Sequence, residues 1–333
     1  MKKITASLLF SFGPLLLSYF YSLPTGSAGY SDPRTGAYST MPAALPATTT
    51  TASSSFNSLP LVVSDDAFRH LEQCQDQGLQ DKLEAIIHTN SHWVALAKNK
   101  TLNIGIVDMQ DPMHSRFAAI NANNMIYAAS LPKIAVLLAS EEAINQGKLI
   151  ETAEVRQDMR MMIAKSNNEA ASRMIQRVGI PQIASVLQDP CYNFYDKQNG
   201  GGLWVGKPYG GGGTRTGDPL KNLSHAASVF QVCKYYYMLA FGQLVNPDRS
   251  KEMLDLLSHP ELHHKFVSVL DRVAPTAQVY RKSGTWENWH ADSALVWDKN
   301  RRYIVVALAD DPDGEMLLRE LMLKIDTELA SKG

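Results

Sequence analysis

A serine and a lysine lie three positions apart in the segment Ser130-Leu131-Pro132-Lys133, which is followed by the apolar run IAVLLA. On a helix, positions i and i+3 lie on one face, so the Lys133 amine can reach the Ser130 hydroxyl. A serine hydroxyl becomes a good nucleophile when a neighbouring base takes its proton, and a partly desolvated lysine can be that base. The spacing indicates a nucleophile with its base, although a helix cap at Ser130 and a solvated Lys133 would explain the same residues.

Two further polar motifs follow along the chain. The segment Ser166-Asn167-Asn168 directly precedes a predicted helix, where a simple capping cluster is the alternative interpretation. The segment Lys282-Ser283-Gly284-Thr285 lies on a predicted strand, where Gly284 would let the backbone of a ligand lie close. Together the three motifs predict one polar site assembled from distant parts of the chain.

Ser-x-x-Lys, Ser-x-Asn and Lys-Ser/Thr-Gly in this order are the signature of the serine β-lactamases and penicillin-binding proteins. From about residue 71 to the C-terminus the chain resembles this family, and its layout is closest to the class A β-lactamases. The resemblance implies that Ser130 attacks a lactam or peptide carbonyl and becomes acylated. It also implies that Lys133 helps to activate Ser130 and that Ser166 passes a proton to the departing nitrogen.

The same resemblance implies how the substrate is held, and it implies no cofactor. Asn168 would hold the substrate's amide, and the segment Lys282-Ser283-Gly284-Thr285 would bind its carboxylate through charge-assisted hydrogen bonds. The backbone N–H groups of Ser130 and Thr285 would stabilise the oxyanion. The expected partner is a small-molecule β-lactam or a peptidoglycan peptide.

One departure from class A concerns removal of the acyl group. Class A enzymes activate the hydrolytic water with a loop glutamate, but residues 170–250 contain no glutamate, and the second motif has Asn167 where an aspartate is usual. The water would then be activated by Lys133, either free or carbamylated, by Asp218, or by no residue at all. A β-lactamase is the favoured function, and a D-Ala-D-Ala carboxypeptidase or penicillin-binding protein and a β-lactam-binding protein without turnover remain the alternatives.

Hydrophobic periodicity predicts the elements that must position these motifs. Strands are expected over 102–108 and 116–121 before the serine helix, and over 278–283, 291–297 and 303–309 after the long helical middle. A helix over 226–241 with Ser224 as a possible cap and an amphipathic helix over 315–329 are also expected. These elements predict an α/β fold of the α+β type: a mostly antiparallel five-stranded sheet, N- and C-terminal helices and an inserted all-helical lobe.

The N-terminal segments predict export. Residues 1–28 have a basic start, a short apolar run and small residues at a cleavage position, which is typical of a signal peptide. Residues 29–60 are rich in Ser, Thr and Pro and are expected to be a flexible linker before a catalytic domain over 61–333. The mature protein is expected to be periplasmic or secreted, monomeric and without a stable membrane span. The 32 basic and 33 acidic residues argue against nucleic acid as a partner.

Several other residue groups have weaker signals. Two clusters of glycines, at 200–202 and 210–213, predict mobile loops. The candidates for lining a cleft are Trp204, Tyr209, Trp286 and Trp289. His259 and His263 have the i, i+4 spacing of zinc ligands, but no third ligand is evident, so zinc is only an alternative. Cys191 and Cys233 could pair in an oxidising compartment and leave Cys74 over, although connectivity cannot be deduced from sequence.

Overall fold

The computed structural model describes residues 58–61 and 68–331. The predicted signal peptide over 1–28 and nearly all of the predicted linker over 29–60 lie outside the described residues. Within the described ranges, no helix combines the length and the apolar content that a membrane crossing requires.

The helices and strands form three groups along the chain: an N-terminal group, a long middle segment and a C-terminal group. The helices are α1 (Gln77–His88), α2 (Ser91–Lys98), α3 (Lys133–Asn145), α4 (Ala153–Ala164), α5 (Asn168–Val178), α6 (Ile180–Leu187), α7 (Val229–Ala240), α8 (Pro247–Leu257), α9 (Phe266–Val273) and α10 (Gly314–Leu329). The strands are β1 (Leu102–Asp108), β2 (Arg116–Ile120), β3 (Ile126–Tyr127), β4 (Tyr195–Asp196), β5 (Gly201–Gly202), β6 (Trp204–Val205), β7 (His225–Ala227), β8 (Gln278–Trp286), β9 (Trp289–Trp297) and β10 (Arg302–Asp310).

The predicted five-stranded sheet is confirmed, with the order β2-β1-β10-β9-β8 and antiparallel pairing throughout. Both ends of the chain build it, because β1 from the N-terminal part pairs with β10 from the C-terminal part. Strand β8 is an edge strand: it pairs with β9 on one side and leaves its other edge for the site.

Apolar layers cover both faces of the sheet, which explains why its central strands are buried almost without interruption. One layer packs residues such as Leu83 of α1, Phe266 of α9 and Leu321 of α10 against the sheet. The other layer contains α7 and the helices of the middle segment, including nearly all of the apolar residues of α3. Helix α3 is therefore held rigidly from all sides, and Lys133 at its start is fixed with it.

The predicted inserted lobe is mostly helical and contains α3 to α8, but it is not all-helical, because it also contains short strands that the periodicity did not indicate. Strands β3, β7 and β6 form one small sheet, and β4 and β5 form another. The predicted helix over 226–241 was too long at its start. His225–Ala227 forms β7 because its backbone pairs with β3 and β6, and α7 begins only at Val229 with Ser228, not Ser224, as its cap.

The suggested pairing of Cys191 with Cys233 is wrong for this structure. Cys191 is exposed, whereas Cys233 is buried in α7 beneath Gly105 of β1. Both are free, and so is the buried Cys74. A disulfide is not needed here, because the described residues already enclose two extensive apolar layers.

Candidate active site

Ser130 lies in the tight turn that leads from β3 into α3, rather than inside the helix itself. The turn is closed by a 3.0 Å hydrogen bond from the Leu131 amide to the Ala128 carbonyl. Ala129, directly before Ser130, has a φ of +48°, a left-handed conformation that costs a non-glycine residue on the order of 1 kcal/mol or more. Such strain is common where a fold presents a reactive group, and here it precedes the predicted nucleophile.

The edge strand β8 packs directly on this turn through Gly284. A Cβ atom at Gly284 would lie 2.4 Å from the Ala128 carbonyl oxygen and 2.7 Å from the Ser130 amide nitrogen. The protein's own turn thus fills the space that a Gly284 side chain would need, and the approach of a ligand backbone to Gly284 stays a prediction. Glycine is required for this close packing, which brings Thr285 and Ser130 to the same cavity.

Lys133 is completely buried at the first position of α3, and its amine reaches the second motif. It donates hydrogen bonds to the Ser166 carbonyl oxygen at 2.6 Å, to Asn168 Oδ1 at 2.8 Å and to the Ser166 hydroxyl at 3.3 Å. Those three bonds use all the protons of an ammonium group. The structure thus joins the first and second motifs through Lys133, next to the turn that contains Ser130.

Lys282 joins the third motif to the same hydroxyl. Its Nζ donates to the Ser166 hydroxyl at 2.9 Å and to the Ser283 carbonyl at 2.7 Å, and its side chain is 1% exposed. The Ser166 oxygen therefore accepts from two lysines, which leaves its own proton free to be donated elsewhere. Ser166 also has a φ of +55°, so the second motif, like the first, is held in a strained conformation.

Burial changes the protonation of both lysines. Desolvation lowers the pKa of Lys133 to about 7, so that a large fraction of the amine is neutral near neutral pH. Desolvation, together with the nearby charge of Lys133, lowers the pKa of Lys282 well below its ordinary value. A neutral buried amine can accept a proton, which a solvated lysine at pH 7 cannot do.

A third buried lysine, Lys265, lies behind the third motif and was not predicted. Its Nζ donates to the Gly284 carbonyl at 2.6 Å, to the Thr285 hydroxyl at 2.7 Å and to the Ala291 carbonyl at 3.2 Å. It thereby ties the end of β8 to β9. Because the Thr285 oxygen accepts from Lys265, the Thr285 proton is free to point into the cavity.

Residues of the loop 206–224 line the cavity, and Tyr209 is the loop residue that contacts Lys133. The Tyr209 ring lies over the Lys133 amine, with Nζ 4.5 Å from the ring centroid, and stacks on the His225 ring at a centroid distance of 4.1 Å. Ser172 of α5 fixes the loop by donating a 2.8 Å hydrogen bond to the Tyr209 carbonyl. The ring therefore excludes water from one side of Lys133.

His225 was not among the candidates from the sequence, but its ring lines the site. Its Nε2 donates to the Lys207 carbonyl at 3.1 Å, which leaves Nδ1 as an acceptor. Burial lowers the pKa of His225 to about 4, so the imidazole is neutral at physiological pH.

The cavity beside Ser130 has a volume of about 730 Å³, a size typical of small-molecule sites. Of the predicted residues, Ser130, Asn168 and Thr285 line it. Lys133, Lys282 and Ser283 are buried, and the half-buried Ser166 is hydrogen-bonded to both lysines. Among the aromatic candidates, Tyr209, Trp286 and Trp289 line the cavity. Trp204 instead packs in the core against Tyr195, and the glycines 200–202 form a small hairpin with β4.

Within the part of the chain that the structure describes, no carboxylate lines this cavity. Asp218, a candidate for activating water, is used in the loop itself: its oxygens accept from the Tyr195 hydroxyl and from three backbone amides. Burial opposes the charge of Asp218, but the hydrogen bonds from Lys221, Leu223 and Leu220 outweigh it and hold the pKa below its ordinary value. Such a carboxylate is a weak base.

The histidines considered as zinc ligands have separate partners. His263 Nδ1 lies 2.8 Å from Asp271, and His259 Nδ1 lies 2.6 Å from the Ser258 hydroxyl. Over 58–61 and 68–331, no group of three or more His, Cys, Asp or Glu side chains is placed to hold a metal ion. The zinc alternative thus gains no support from the geometry of these side chains.

Comparison with solved structures identifies the fold. The chain is similar to a β-lactamase from Sphaerobacter thermophilus, with 14% identity, a TM-score of 0.60, and coverage of 75% of this chain and 97% of that one. It is also similar to PBP-A, with 15% identity, a TM-score of 0.57, and coverage of 76% and 96%. A PBP-A variant solved as an acyl-enzyme complex with penicillin G has 15% identity, a TM-score of 0.54, and coverage of 76% and 97%.

A search of the curated proteins finds no match. The model of the beta-lactamase enzyme family matches residues 151–329, more than half of the chain. The matched segment contains the second and third motifs, and Ser130 and Lys133 lie just before it. The fold, the order of the three motifs and this match lead to one conclusion: the chain belongs to the beta-lactamase enzyme family.

Proposed function

We propose that this protein is an exported serine hydrolase that opens β-lactams through an acyl-enzyme on Ser130, and that loss of the acyl group is its slow step. One observation carries the proposal: the amines of Lys133 and Lys282 converge on the Ser166 hydroxyl beside the Ser130 turn. This arrangement supplies a base, a proton relay and a nucleophile in one place. The leader-like composition of residues 1–28 supports export.

In the acylation step, neutral Lys133 accepts the proton of Ser130 as the serine oxygen bonds to the lactam carbonyl carbon. The backbone N–H groups of Ser130 and Thr285 stabilise the negative charge on the carbonyl oxygen. The ring C–N bond then breaks, and Ser166 donates its proton to the nitrogen. Ser166 is replenished from the protonated lysine with which it is hydrogen-bonded, so the step conserves protons.

Binding uses the groups that face the cavity. The Thr285 hydroxyl donates toward the substrate's carboxylate, and the charge of Lys265, whose pKa burial lowers only to about 8, favours an anion there. Asn168 shares its amide between Lys133, through Oδ1, and the substrate, through the amide nitrogen. No cofactor is used in this scheme.

Hydrolysis of the acyl-enzyme is slow in this proposal because none of the described carboxylates faces the cavity and Tyr209 covers Lys133. Water attack then depends on Lys133, either as a free amine or as a carbamate. A D-Ala-D-Ala carboxypeptidase or penicillin-binding protein is the second candidate function, and the same lack of a carboxylate favours it. The likeness to PBP-A supports that candidate as well.

The test is to mix the purified protein with a chromogenic cephalosporin and follow both colour and protein mass. We expect a burst of about one equivalent of product, a covalent adduct, and a slow steady rate that represents turnover. A stable adduct without turnover would favour a penicillin-binding protein, and turnover of a D-Ala-D-Ala peptide would identify a carboxypeptidase. Neither product nor adduct would contradict the proposal and indicate a protein that at most binds β-lactams.

A further inference from the structure

Among the residues that the structure describes, the charged side chains that line the cavity all have one sign. Lys207 and Arg215 are these charged residues, and both are basic. Glu287 is exposed at the tip of the β8–β9 hairpin and does not line the cavity. Burial raises the pKa of Tyr127, and the negative charge of Glu287 raises it further. A cavity next to the nucleophile thus has uncompensated positive charge.

Lys207 is the more confined of these two cations. Its side chain is half-buried, and the ion pairs formed by the described residues do not include it. Its backbone is fixed, because its carbonyl accepts the 3.1 Å hydrogen bond from His225 Nε2. Burial lowers the pKa of His225, and the charge of Lys207 contributes further in the same direction. A partly desolvated cation without an acidic partner is a favourable position for an anion.

Arg215 adds a second positive charge at the other end of the same loop. Its guanidinium donates a 2.9 Å hydrogen bond to Asn222 Oδ1 and a second hydrogen bond to the Asn222 carbonyl oxygen, so its hydrogen-bond partners are neutral. Its charge is therefore held in place without being compensated.

An aromatic wall faces these cations. Tyr127 packs edge-on against Trp289 at a centroid distance of 6.0 Å, and the stacked rings of Tyr209 and His225 continue the wall toward Lys133. Trp286 is 58% exposed at the mouth, although it is a large apolar side chain. The wall suits a flat or apolar group, and Lys207 and Arg215 suit an anion attached to that group.

We propose that this part of the cavity selects substrates whose acyl side chain carries an anionic group, a carboxylate beside an apolar or aromatic portion. The proposal rests on the proposed function, since it assigns the side-chain specificity of the same acylation site. The anion is additional to the carboxylate expected at Thr285, because Lys207 and Arg215 belong to the loop 206–224 and not to β8.

Two penicillins that differ by one carboxylate test the proposal directly. Benzylpenicillin and carbenicillin share the bicyclic nucleus and a phenyl side chain, and carbenicillin carries an extra carboxylate next to the side-chain amide. We expect the second-order rate of adduct formation to be roughly tenfold higher for carbenicillin, the equivalent of about 1.4 kcal/mol. Raising the salt concentration should reduce this preference, since the cation is only partly buried.

Variants of the chain identify the group responsible. Lys207→Gln should bring the ratio of the two rates close to one, and Lys207→Glu should reverse the preference. Lys148→Glu makes the same charge change at an exposed lysine after α3, so it should keep the wild-type ratio. Equal rates for both penicillins in the wild type, or the same ratio in wild type and Lys207→Glu, would overturn the proposal.

Failure of acylation is a separate outcome. If neither penicillin forms an adduct, the proposed function fails, and the side-chain proposal is then tested by equilibrium binding. Trp286 and Trp289 line the cavity, so their fluorescence reports binding without chemistry. Tighter binding of carbenicillin that is lost in Lys207→Glu would still support the side-chain proposal, and equal or undetectable binding of the two compounds would overturn it.

Discussion

The Lys133 amine lies beneath the ring of Tyr209, with Nζ 4.5 Å from the ring centroid. Lys133 is the residue expected to act as the base, and Tyr209 belongs to the loop that lacks the glutamate expected in class A enzymes. The ring shields one side of the amine from water, and burial lowers the pKa of Lys133 to about 7. The same contact thus favours acylation, which needs a neutral amine, and hinders hydrolysis, which needs a water.

The first prediction concerns the pH dependence of acylation. Only the neutral form of Lys133 accepts a proton, so the acylation rate should rise about tenfold per pH unit below 7 and level off above it. Mass-detected labelling by benzylpenicillin from pH 5 to pH 9 measures this profile, with circular dichroism as the control for folding. A rate that is flat across this range would exclude Lys133 as the base.

The second prediction separates the ring of Tyr209 from its hydroxyl. Tyr209→Ala exposes the Lys133 amine to water, so the midpoint of the acylation profile should move upward by on the order of one pH unit. Tyr209→Phe keeps the shielding ring and should keep the midpoint near 7. Identical midpoints in the Ala variant and the wild type would show that the ring does not control the pKa of Lys133.

The residues of the site were not equally predictable from the sequence. Ser130, Lys133, Ser166 and Lys282 stand in local motifs whose residue types and spacing indicate chemistry. Their convergence follows from α3 and the β8 edge, and strand and helix periodicity predicted both elements. The five-stranded sheet was predictable for the same reason.

Other parts of the site depend on contacts that no local pattern records. Lys265 reaches partners 19, 20 and 26 residues away across the β8–β9 hairpin, and nothing near Lys265 in the sequence indicates them. Ala226 and Ala227 were assigned to a helix, but pairing with β3 and β6 makes them strand residues together with His225. Gly284 was singled out for the approach of a ligand, and its close packing on the Ser130 turn was not predicted.

The third prediction concerns Lys265 as a positioning residue. Lys265→Met leaves the Gly284 and Ala291 carbonyls without this donor and frees the Thr285 hydroxyl to turn away from the cavity. We expect the free energy of unfolding to fall by on the order of 3 kcal/mol, because buried acceptors lose their partner. Denaturant unfolding measures this change, and Lys299→Met, at an exposed lysine, is the matched control.

The same variant should affect binding more than the chemical step. Thr285→Val removes the hydroxyl alone, so both variants should weaken saturation by penicillin while the pH midpoint set by Lys133 stays near 7. A Lys265→Met variant with wild-type stability and wild-type saturation would show that the three hydrogen bonds do not position β8.

The central claim is that Ser130 is the residue acylated, and mass spectrometry of the labelled protein tests it most directly. Wild type and Ser130→Ala are each treated with benzylpenicillin, and the adduct is mapped by peptide digestion. The account predicts one equivalent of penicilloyl group on Ser130 in the wild type and no adduct in Ser130→Ala, with both proteins folded by circular dichroism. An adduct that persists in Ser130→Ala, or that maps to another residue in the wild type, would contradict it.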